Sequence, residues 1–185
     1  VAAGQPFEQE YRIRTADGAI KWVHATAMPQ AGAAGATVWT GLLTDISVRR
    51  QLESVVLDSE ERYRTLFETV AQGVVYQDAE GRITSANPAA QRILGLTLDQ
   101  LKGRDSMDPR WQAVREDGSP FPGDEHPSMV ALRTGQPVPQ VVMGVQAPGR
   151  GCTWLLVNAT PVQRGGVVHE VYSSFEDITE RVLLS

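Results

Sequence analysis

The sequence predicts an α+β protein made of a repeated antiparallel sheet module, with helices inserted after the second strand of the complete copy. Three observations support this: strands that alternate apolar and polar residues, tight-turn dipeptides between them, and an internal repeat at an offset of 132 residues. At that offset the same or similar residues recur without a gap: Trp22 and Trp154, Pro29 and Pro161, Asp45 and Asp177, Ile46 and Ile178, Ser47 and Thr179, Arg49 and Arg181. The chain therefore holds two copies of one module, and the first copy lacks its front half.

The first copy, residues 1–46, is predicted to form three antiparallel strands. Residues 7–13 alternate apolar and polar side chains, and a tight turn at Asp17-Gly18 leads to a second strand. The strands cover residues 7–13, 20–28 and 37–44. A sheet of about 45 residues is too small to bury a core of its own. We therefore expect residues upstream, or another chain, to cover it.

A long helix, residues 47–70, is predicted to connect the copies because this segment contains neither Gly nor Pro. Its apolar residues are separated by steps of four and three, the spacing of a coiled-coil seam. The seam residues are Leu52, Val56, Ser59, Tyr63, Leu66 and Val70. We expect the chain to form a homodimer through this seam.

The second copy, residues 71–178, is predicted to be complete. Its first two strands flank a turn at 78–81, and its helices carry recognisable start and stop signals. The last three strands lie near 140–146, 152–160 and 167–176, and residues 179–185 start an outgoing helix. The helix signals are Asn87-Pro88 and Gly95, a Thr97–Gln100 capping box, and Pro127 with Gly135. The order β-β-α-α-α-β-β-β predicts a five-stranded antiparallel sheet.

Composition excludes several classes of protein. The 185 residues are 42% hydrophobic and 21% charged, which is ordinary globular usage rather than that of a disordered chain. A net charge of −5 without clustered Lys and Arg argues against nucleic-acid binding. No apolar run reaches the roughly 18 residues of a membrane span, and the single Cys152 excludes internal disulfides and multi-thiolate metal sites. We expect a cytoplasmic location without membrane contact in this segment.

Motifs across residues 62–181 resemble those of the PAS domain, the small sensor module of bacterial signalling proteins. They are R-Y-R-x-L-F at 62–67, D-x-E-G-R-I at 78–83, A-N-P-A-A-x-x-I-L-G at 86–95, R-E-D-G at 115–118, and a closing W-x7-P followed by D-I-T-E-R. The closing half of the pattern also covers residues 5–50. The resemblance implies a PAS fold, with the C-terminal half of one PAS domain in residues 1–46, a complete one in 71–178, and an output helix that starts at 179.

The resemblance also implies a function, that of the sensory region of a multidomain bacterial signal-transduction protein. The implied effector is a histidine kinase of a two-component system, and a diguanylate cyclase is the alternative. A ligand-free dimerisation and spacer module is the alternative function. The sequence contains none of the common hydrolase, P-loop or metalloprotease motifs, so we expect no enzyme activity in this chain.

The two strand-to-helix junctions are candidates for signal relay. In PAS proteins a similar junction couples the sheet to the outgoing helix. The alternative is a plain junction in which Ser47 or Thr179 caps the helix and the Asp and Arg form a local ion pair. The junction residues are Asp45 and Arg49 in the first copy and Asp177, Thr179 and Arg181 in the second.

A small ligand pocket is expected between the inner face of the complete sheet and its helices. The alternative is a core that side chains fill completely. For Asn87 the alternative role is that of a helix cap. The pocket candidates are Val74, Tyr76, Asn87, Ile93, Met107, Trp111, Met129 and Val130.

No cofactor or metal ion is expected. In flavin-binding relatives a cysteine follows an asparagine on a mid-domain helix, whereas the corresponding segment, 101–111, has no cysteine and Cys152 lies on a late strand, where a small buried residue is expected. Some relatives hold haem through a histidine on the helix before the last three strands. His126 lies at the start of that helix, and a structural role in the turn is the alternative. His24 and His169 have no metal-ligand spacing.

Overall fold

Three strands and the start of a long helix make up the first part of the chain. A computed structural model describes residues 5–108, 110–147 and 151–184. β1 (Phe7–Arg14), β2 (Ile20–Ala31) and β3 (Thr37–Asp45) form one antiparallel sheet in that order. The turn between β1 and β2 places Gly18 at a φ of 85°, a conformation that glycine adopts without steric cost. The three predicted strands are confirmed.

The connecting helix α1 (Ser47–Thr69) is continuous, as the absence of Gly and Pro predicts. The chain divides into two compact units, residues 1–63 and 64–185, so the division falls within α1 and not at either of its ends. All of the apolar seam residues are at least partly exposed in a single copy of the chain. They are Leu52, Val56, Tyr63, Leu66 and Val70.

The second unit has a five-stranded antiparallel sheet with strand order β5-β4-β8-β7-β6. The helices α2, α3 and α4 follow β5, as predicted, and α5 leaves the last strand. The bounds are β4 (Gly73–Asp78), β5 (Ile83–Ala86), α2 (Pro88–Leu94), α3 (Leu98–Leu101), α4 (Pro127–Thr134), β6 (Val138–Ala147), β7 (Gly151–Arg164), β8 (Val167–Asp177) and α5 (Thr179–Leu183). The predicted fold class is confirmed.

The sequence repeat is also a repeat of strand pairing. Val23 pairs with Asp45 across β2 and β3, and Leu155 pairs with Asp177 at the positions 132 residues later. The β1–β2 and β6–β7 pairs agree in the same way, with Gln9 opposite Ala25 and Val141 opposite Val157. Register depends on which side chains face the core, so the shared register shows that both copies present equivalent faces.

Burial differs sharply between equivalent positions of the two copies. Phe175 on β8 is 5% exposed, because the inserted helices pack over the inner face of its sheet. Leu43 on β3, the equivalent position, is 54% exposed. In the described part of the first copy, no comparable layer of helices covers the three-stranded sheet. The sheet alone therefore leaves large apolar side chains such as Leu43 exposed, although Val23 and Ala25 on its middle strand are buried.

The predicted helix signals are present in the second unit. Asn87 caps α2, Pro88 occupies its first turn, and Gly95 ends it with a φ of 66°. Thr97 and Gln100 form the reciprocal capping box of α3. These local interactions hold two short helices in place over the sheet, and α4 completes the cover.

Candidate functional site

A cavity of about 100 Å³ lies between the inner face of the five-stranded sheet and the segments that cover it. Most of its wall is apolar, and a few polar side chains reach it from the sheet, from the segment after α3 and from the start of α4. This mixture is typical of small-molecule sites. The main apolar residues are Val75, Leu94, Met143, Leu155, Val157 and Phe175, and the polar ones are Gln77, Asp105, Ser106, His126, Ser128 and Ser173.

Two polar side chains reach the cavity from the sheet itself. Ser173 lies on the central strand β8, between Val75 on β4 and Ala159 on β7. Its Oγ is buried and has no hydrogen-bond partner among the described residues. Gln77 also faces inward, and its Nε2 donates to the carbonyl oxygen of Gly81 at 2.8 Å. The sheet therefore contributes one satisfied and one unsatisfied polar group to the wall.

His126 lies at the opposite side of the cavity, directly before α4. Burial lowers the pKa of its imidazole below the ordinary value, which favours the neutral form. Its Nε2 is 3.1 Å from the carbonyl oxygen of Phe121, so the neutral ring donates its proton there. The ring also meets the Phe121 ring edge to face, with 5.2 Å between their centres. These contacts tie the His126 ring to the turn that contains Phe121.

Two further contacts order the segment that covers the cavity. Trp111 lines the wall, and its Nε1 donates to the carbonyl oxygen of Asp105 at 2.8 Å. The hydroxyls of Ser106 and Ser128 are 3.2 Å apart and share a hydrogen bond. The irregular stretch after α3 is thus tied both to itself and to the first turn of α4.

The prediction that Val74 and Tyr76 face the pocket is wrong. Along β4 the buried residues are Gly73, Val75 and Gln77, and the two predicted residues point to the other face. There the Tyr76 ring lies 6.0 Å from the rings of Phe67 and Tyr172. Both faces of β4 carry apolar side chains, so alternation separates the two sets but does not say which set faces the helices.

Asn87 and Ile93 are also predicted pocket residues that do not line the cavity. Asn87 is fully buried, but its Oδ1 accepts hydrogen bonds from the N–H groups of Ala90 at 2.8 Å and Val74 at 2.9 Å. Its Nδ2 donates to the carbonyl oxygen of Gln72 at 3.0 Å. These bonds commit its side chain to capping α2 and fastening it to β4. Ile93 is half-buried against the core, and the neighbouring Leu94 takes the place in the cavity wall.

Three further pocket candidates are not among the described residues of the cavity wall: Met107, Met129 and Val130. Met107 is mostly exposed in a shallow depression on the surface. Met129 lines a separate groove that α4 shares with the turn between β4 and β5, and Val130 is half-buried on the same helix. α4 meets the cavity through its first turn instead, because Pro127 and Ser128 are its buried leading residues. Of the predicted pocket residues, Trp111 lines the cavity.

Further wall residues, which the sequence did not predict, are contributed by β6, β7 and β8. Their signal is present in the alternation of β8, where Val171, Ser173 and Phe175 are buried and the intervening residues are half-buried. The sequence does not indicate that Ser173 is buried, because serine in a strand is usually exposed to solvent.

Each copy ends in a strand-to-helix junction of the same geometry. The Oγ1 of Thr179 accepts a hydrogen bond from the backbone N–H of Trp154 at 2.9 Å, and the Oγ of Ser47 accepts one from Trp22 at 2.9 Å. The carbonyl oxygens of Trp154 and Trp22 accept from the N–H groups of Ile178 at 2.8 Å and Ile46 at 2.9 Å. Each junction therefore holds both backbone groups of a tryptophan on the neighbouring strand.

The predicted helix caps and the ion pair of the first junction need correction. The hydroxyls of Ser47 and Thr179 point back to the strand, and the carboxylates of Asp45 and Asp177 accept the N–H of the residue two positions on, at 3.0 and 2.9 Å. Asp45 pairs with Lys21 at 2.8 Å, which holds the pKa of its carboxyl well below the ordinary value. Arg49 pairs with Glu10 on β1. In the first junction the sheet thus supplies both opposite charges, Lys21 for Asp45 and Glu10 for Arg49.

Cys152 is half-buried at the start of β7 rather than fully buried, and burial raises the pKa of its thiol. Within the described ranges, no group of three or more His, Cys, Asp or Glu side chains is close enough together to hold a metal ion. None of the described helices has the length and apolar character that a bilayer crossing requires.

Two family models match the chain. A model described as "PAS domain" matches residues 61–125, and one described as "PAS fold" matches residues 1–42, so together they cover more than half of the sequence. The first match contains the Asn87 cap and Trp111. The second covers β1 and β2 and part of β3.

Three characterised or named proteins match shorter segments. Sporulation kinase E of Bacillus subtilis is 34% identical over 36% of this chain and 9% of its own length. Sensor histidine kinase TmoS of Ectopseudomonas mendocina is 46% identical over 29% of this chain and 6% of its own length. The probable diguanylate cyclase DgcE of Escherichia coli is 28% identical over 53% of this chain and 9% of its own length. The chain thus spans less than a tenth of the length of each of these relatives.

Solved structures show the same fold at low sequence identity. The PAS domain of an HTR-like protein from Haloarcula marismortui matches with a TM-score of 0.53 at 15% identity, over 70% of this chain and 99% of the other. A PAS domain from Colwellia psychrerythraea matches with a TM-score of 0.51 at 17% identity, over 65% and 98%. The sheet order, the inserted helices and the two model matches agree, and the chain belongs to the PAS domain family.

Proposed function

We propose that this chain is the sensory region of a signal-transduction protein whose effector is a histidine kinase. In this proposal the occupancy of the PAS cavity biases the start of α5, and α5 passes that bias to the effector. The observation that carries the proposal is the Trp154–Thr179 hydrogen bond of 2.9 Å, because it joins the strand that lines the cavity to the first residue of α5.

The path from the cavity to α5 is short. Leu155 lines the cavity, and the residue before it, Trp154, holds α5 through its N–H to Thr179 and its carbonyl oxygen to Ile178. A small movement of β7 at the wall therefore changes the two hydrogen bonds that orient the helix. A ligand shifts such an equilibrium by the difference between its affinities for the two arrangements.

The choice of effector follows the named relatives. TmoS and Sporulation kinase E support a kinase, whereas the match to DgcE is longer and supports a diguanylate cyclase as the alternative. PAS domains are sensory modules that are generally not catalytic, and we propose that this chain has no enzyme activity of its own. In this proposal the module lies in the cytoplasm, where ATP is available as the substrate of the kinase.

We further propose that the module works without haem or flavin. The Nε2 of His126 is used by the Phe121 carbonyl, and a cavity of about 100 Å³ is smaller than the roughly 300–1,000 Å³ of sites for drug-sized ligands. Purified protein is expected to show no flavin absorbance and no Soret band. A Soret band that disappears in His126→Ala would contradict this proposal.

The second candidate function is a dimerisation and spacer module that binds no ligand. The exposed apolar seam of α1, with Leu52 62% and Leu66 69% exposed, favours it. The two functions differ in what the cavity does. A relay requires that changes in the cavity reach the effector through Thr179, whereas a spacer requires only that the dimer persists.

A double-mutant cycle in a kinase fusion separates the two functions. The chain is fused through α5 to the kinase region of TmoS, and autophosphorylation is measured for Ser173→Leu, Thr179→Val and the double variant. If the cavity signals through the junction, Ser173→Leu changes the rate severalfold in the parent and much less in the Thr179→Val background. Ser174→Leu, on the opposite face of β8, is the matched control and is expected to change little.

Additive effects of Ser173→Leu and Thr179→Val would exclude relay through the junction and favour the spacer. Thermal unfolding of each fusion checks that the PAS module is folded. Thr179→Ser, which keeps the hydroxyl, is expected to restore the response.

A further inference from the structure

We infer that the cavity of the second unit takes a small uncharged molecule with a hydrogen-bonding end and a short apolar body, and that Ser173 is its anchor. The chemical class is that of a short-chain amide or alcohol. This inference rests on the proposed function, because it names the kind of ligand that the sensory cavity receives.

The buried hydroxyl of Ser173 is the first observation. Ser173 is 7% exposed and lines the cavity, and its Oγ has no hydrogen-bond partner among the described residues. Buried polar groups in native proteins nearly always have a partner, so an exception on a cavity wall suggests that the partner is a ligand. The equivalent residue of the first copy is Gly41, so the hydroxyl is specific to the copy that has the cavity.

The start of α4 is the second observation. His126, Pro127 and Ser128 line the cavity, and the helix has no side-chain cap. The first N–H groups of a helix lack partners within the helix, and the positive end of the helix dipole favours an acceptor oxygen. The cavity thus offers a hydroxyl on the sheet side and a helix start on the other side, which suits a ligand with a carbonyl or hydroxyl oxygen.

The charges around the cavity favour an uncharged ligand. No Lys or Arg is among the described wall residues, and the wall's one carboxylate, on Asp105, already accepts the N–H of Met107 at 2.9 Å. Arg104, whose guanidinium lies 5.6 Å from the centre of the Trp111 ring, is not among the residues that line the wall. A carboxylate ligand would therefore have no cation on the wall itself to pair with, and burial of an unpaired charge is unfavourable. An ammonium ligand would face the positive end of α4. The wall therefore lacks a cation for a carboxylate ligand, and for an ammonium ligand the attraction of Asp105 is opposed by the positive end of α4.

The size of the cavity and its apolar wall define the rest of the molecule. A volume of about 100 Å³ holds a few non-hydrogen atoms beyond the polar end. Val75, Val157 and Phe175 provide apolar contact close to Ser173, since they lie on the same or adjacent strands of the inner face. A chain of about four carbons suits this space, and a ligand this small binds at best with roughly micromolar to millimolar affinity.

Three probes of nearly equal shape test the inference: butyramide, butyrate and butylamine. Each is titrated into the purified chain, and binding is measured by amide chemical shifts and by thermal unfolding, since a ligand of the folded state raises the melting temperature. Butyramide is expected to bind at least tenfold more tightly than either ion. Ser173→Ala is expected to weaken butyramide at least fivefold. Ser174→Ala, on the opposite face of β8, is expected to bind it like the parent.

Ser173→Ala removes a hydroxyl that has no protein partner among the described residues. The melting temperature of the ligand-free variant is therefore expected to equal or exceed that of the parent. Tighter binding of butyrate or butylamine than of butyramide, equal binding by Ser173→Ala, or no binding of any probe would overturn the inference. Coupling in the kinase fusion without binding of butyramide would reject the ligand class and keep the proposed relay. Binding of butyramide without coupling in the kinase fusion would keep the ligand class and reject the proposed relay.

Discussion

The backbone N–H of Trp154 donates a hydrogen bond of 2.9 Å to the hydroxyl of Thr179, across the point where β8 ends and α5 begins. The same bond joins Trp22 to Ser47 at the end of the first copy. Serine and threonine are interchangeable at this position because the bond needs a hydroxyl and not a methyl group. The D-I-[ST] string of the repeat therefore marks the start of a helix. Its Ser or Thr also joins that helix to the neighbouring strand through the tryptophan.

Replacing Thr179 by Val is expected to destabilise the second unit by about 1–2 kcal/mol, because the part-buried N–H of Trp154 loses its acceptor while the side-chain volume is kept. Denaturant unfolding of the chain measures the loss. Thr179→Ser is expected to remain close to the parent. Thr134→Val is the control, since that exposed hydroxyl bonds only within and just after its own helix. Equal stability of Thr179→Val and the control would contradict the assignment.

Asn87→Ala is expected to cost about 2–3 kcal/mol of unfolding free energy, more than an ordinary helix cap. The side chain satisfies two N–H groups and one carbonyl while fully buried, and each is left without a partner in the variant. Thr97→Ala removes an exposed cap of α3 and is expected to cost about 1 kcal/mol. A loss for Asn87→Ala no larger than that for Thr97→Ala would show that the bonds to β4 contribute little.

The stability of the second unit is expected to fall in mild acid because of His126. Burial lowers the pKa of its imidazole in the folded state below the ordinary value of 6.5, and nearby Asp124 opposes the shift only partly. The unfolded chain therefore binds the proton first, so this contribution is present above pH 6.5 and is lost as the pH falls below it.

Unfolding measured between about pH 7 and pH 5 tests this pH dependence. The slope of stability against pH is expected to be smaller for His126→Gln, whose amide can still donate to the Phe121 carbonyl. His169→Gln changes an exposed histidine and serves as the control. This variant is expected to keep the slope of the parent. A parent slope that survives in His126→Gln would assign the acid sensitivity to other groups.

The seam of α1 is expected to hold two copies of the chain together. Leu52 and Leu66 are exposed in a single copy at heptad spacing, and burying them against a second helix removes apolar surface from water. Light scattering coupled to gel filtration is expected to show a dimer at micromolar concentration that Leu52→Asp weakens at least tenfold. Leu57→Asp changes an equally exposed leucine outside the seam and is expected to have a smaller effect. A monomeric parent would reject the seam.

Local and periodic features could be predicted from the sequence by itself. The Asn87 cap, the Thr97–Gln100 capping box and the Asp17-Gly18 turn are formed by residues within a few positions of one another, so their signals are complete in a short segment. The repeat is equally visible, because both copies use the same strand register and therefore need the same residue types at the same positions.

The tertiary structure decided which side of each strand faces the helices. Val74 and Tyr76 alternate correctly with Val75 and Gln77, but both faces of β4 are apolar, and the choice depends on where the inserted helices and α1 pack. The same holds for Ser173, whose hydroxyl becomes a buried group without a partner only when β4, β7 and the start of α4 close around it. Periodicity records two faces of a strand, whereas burial is a property of what distant segments bring to each face.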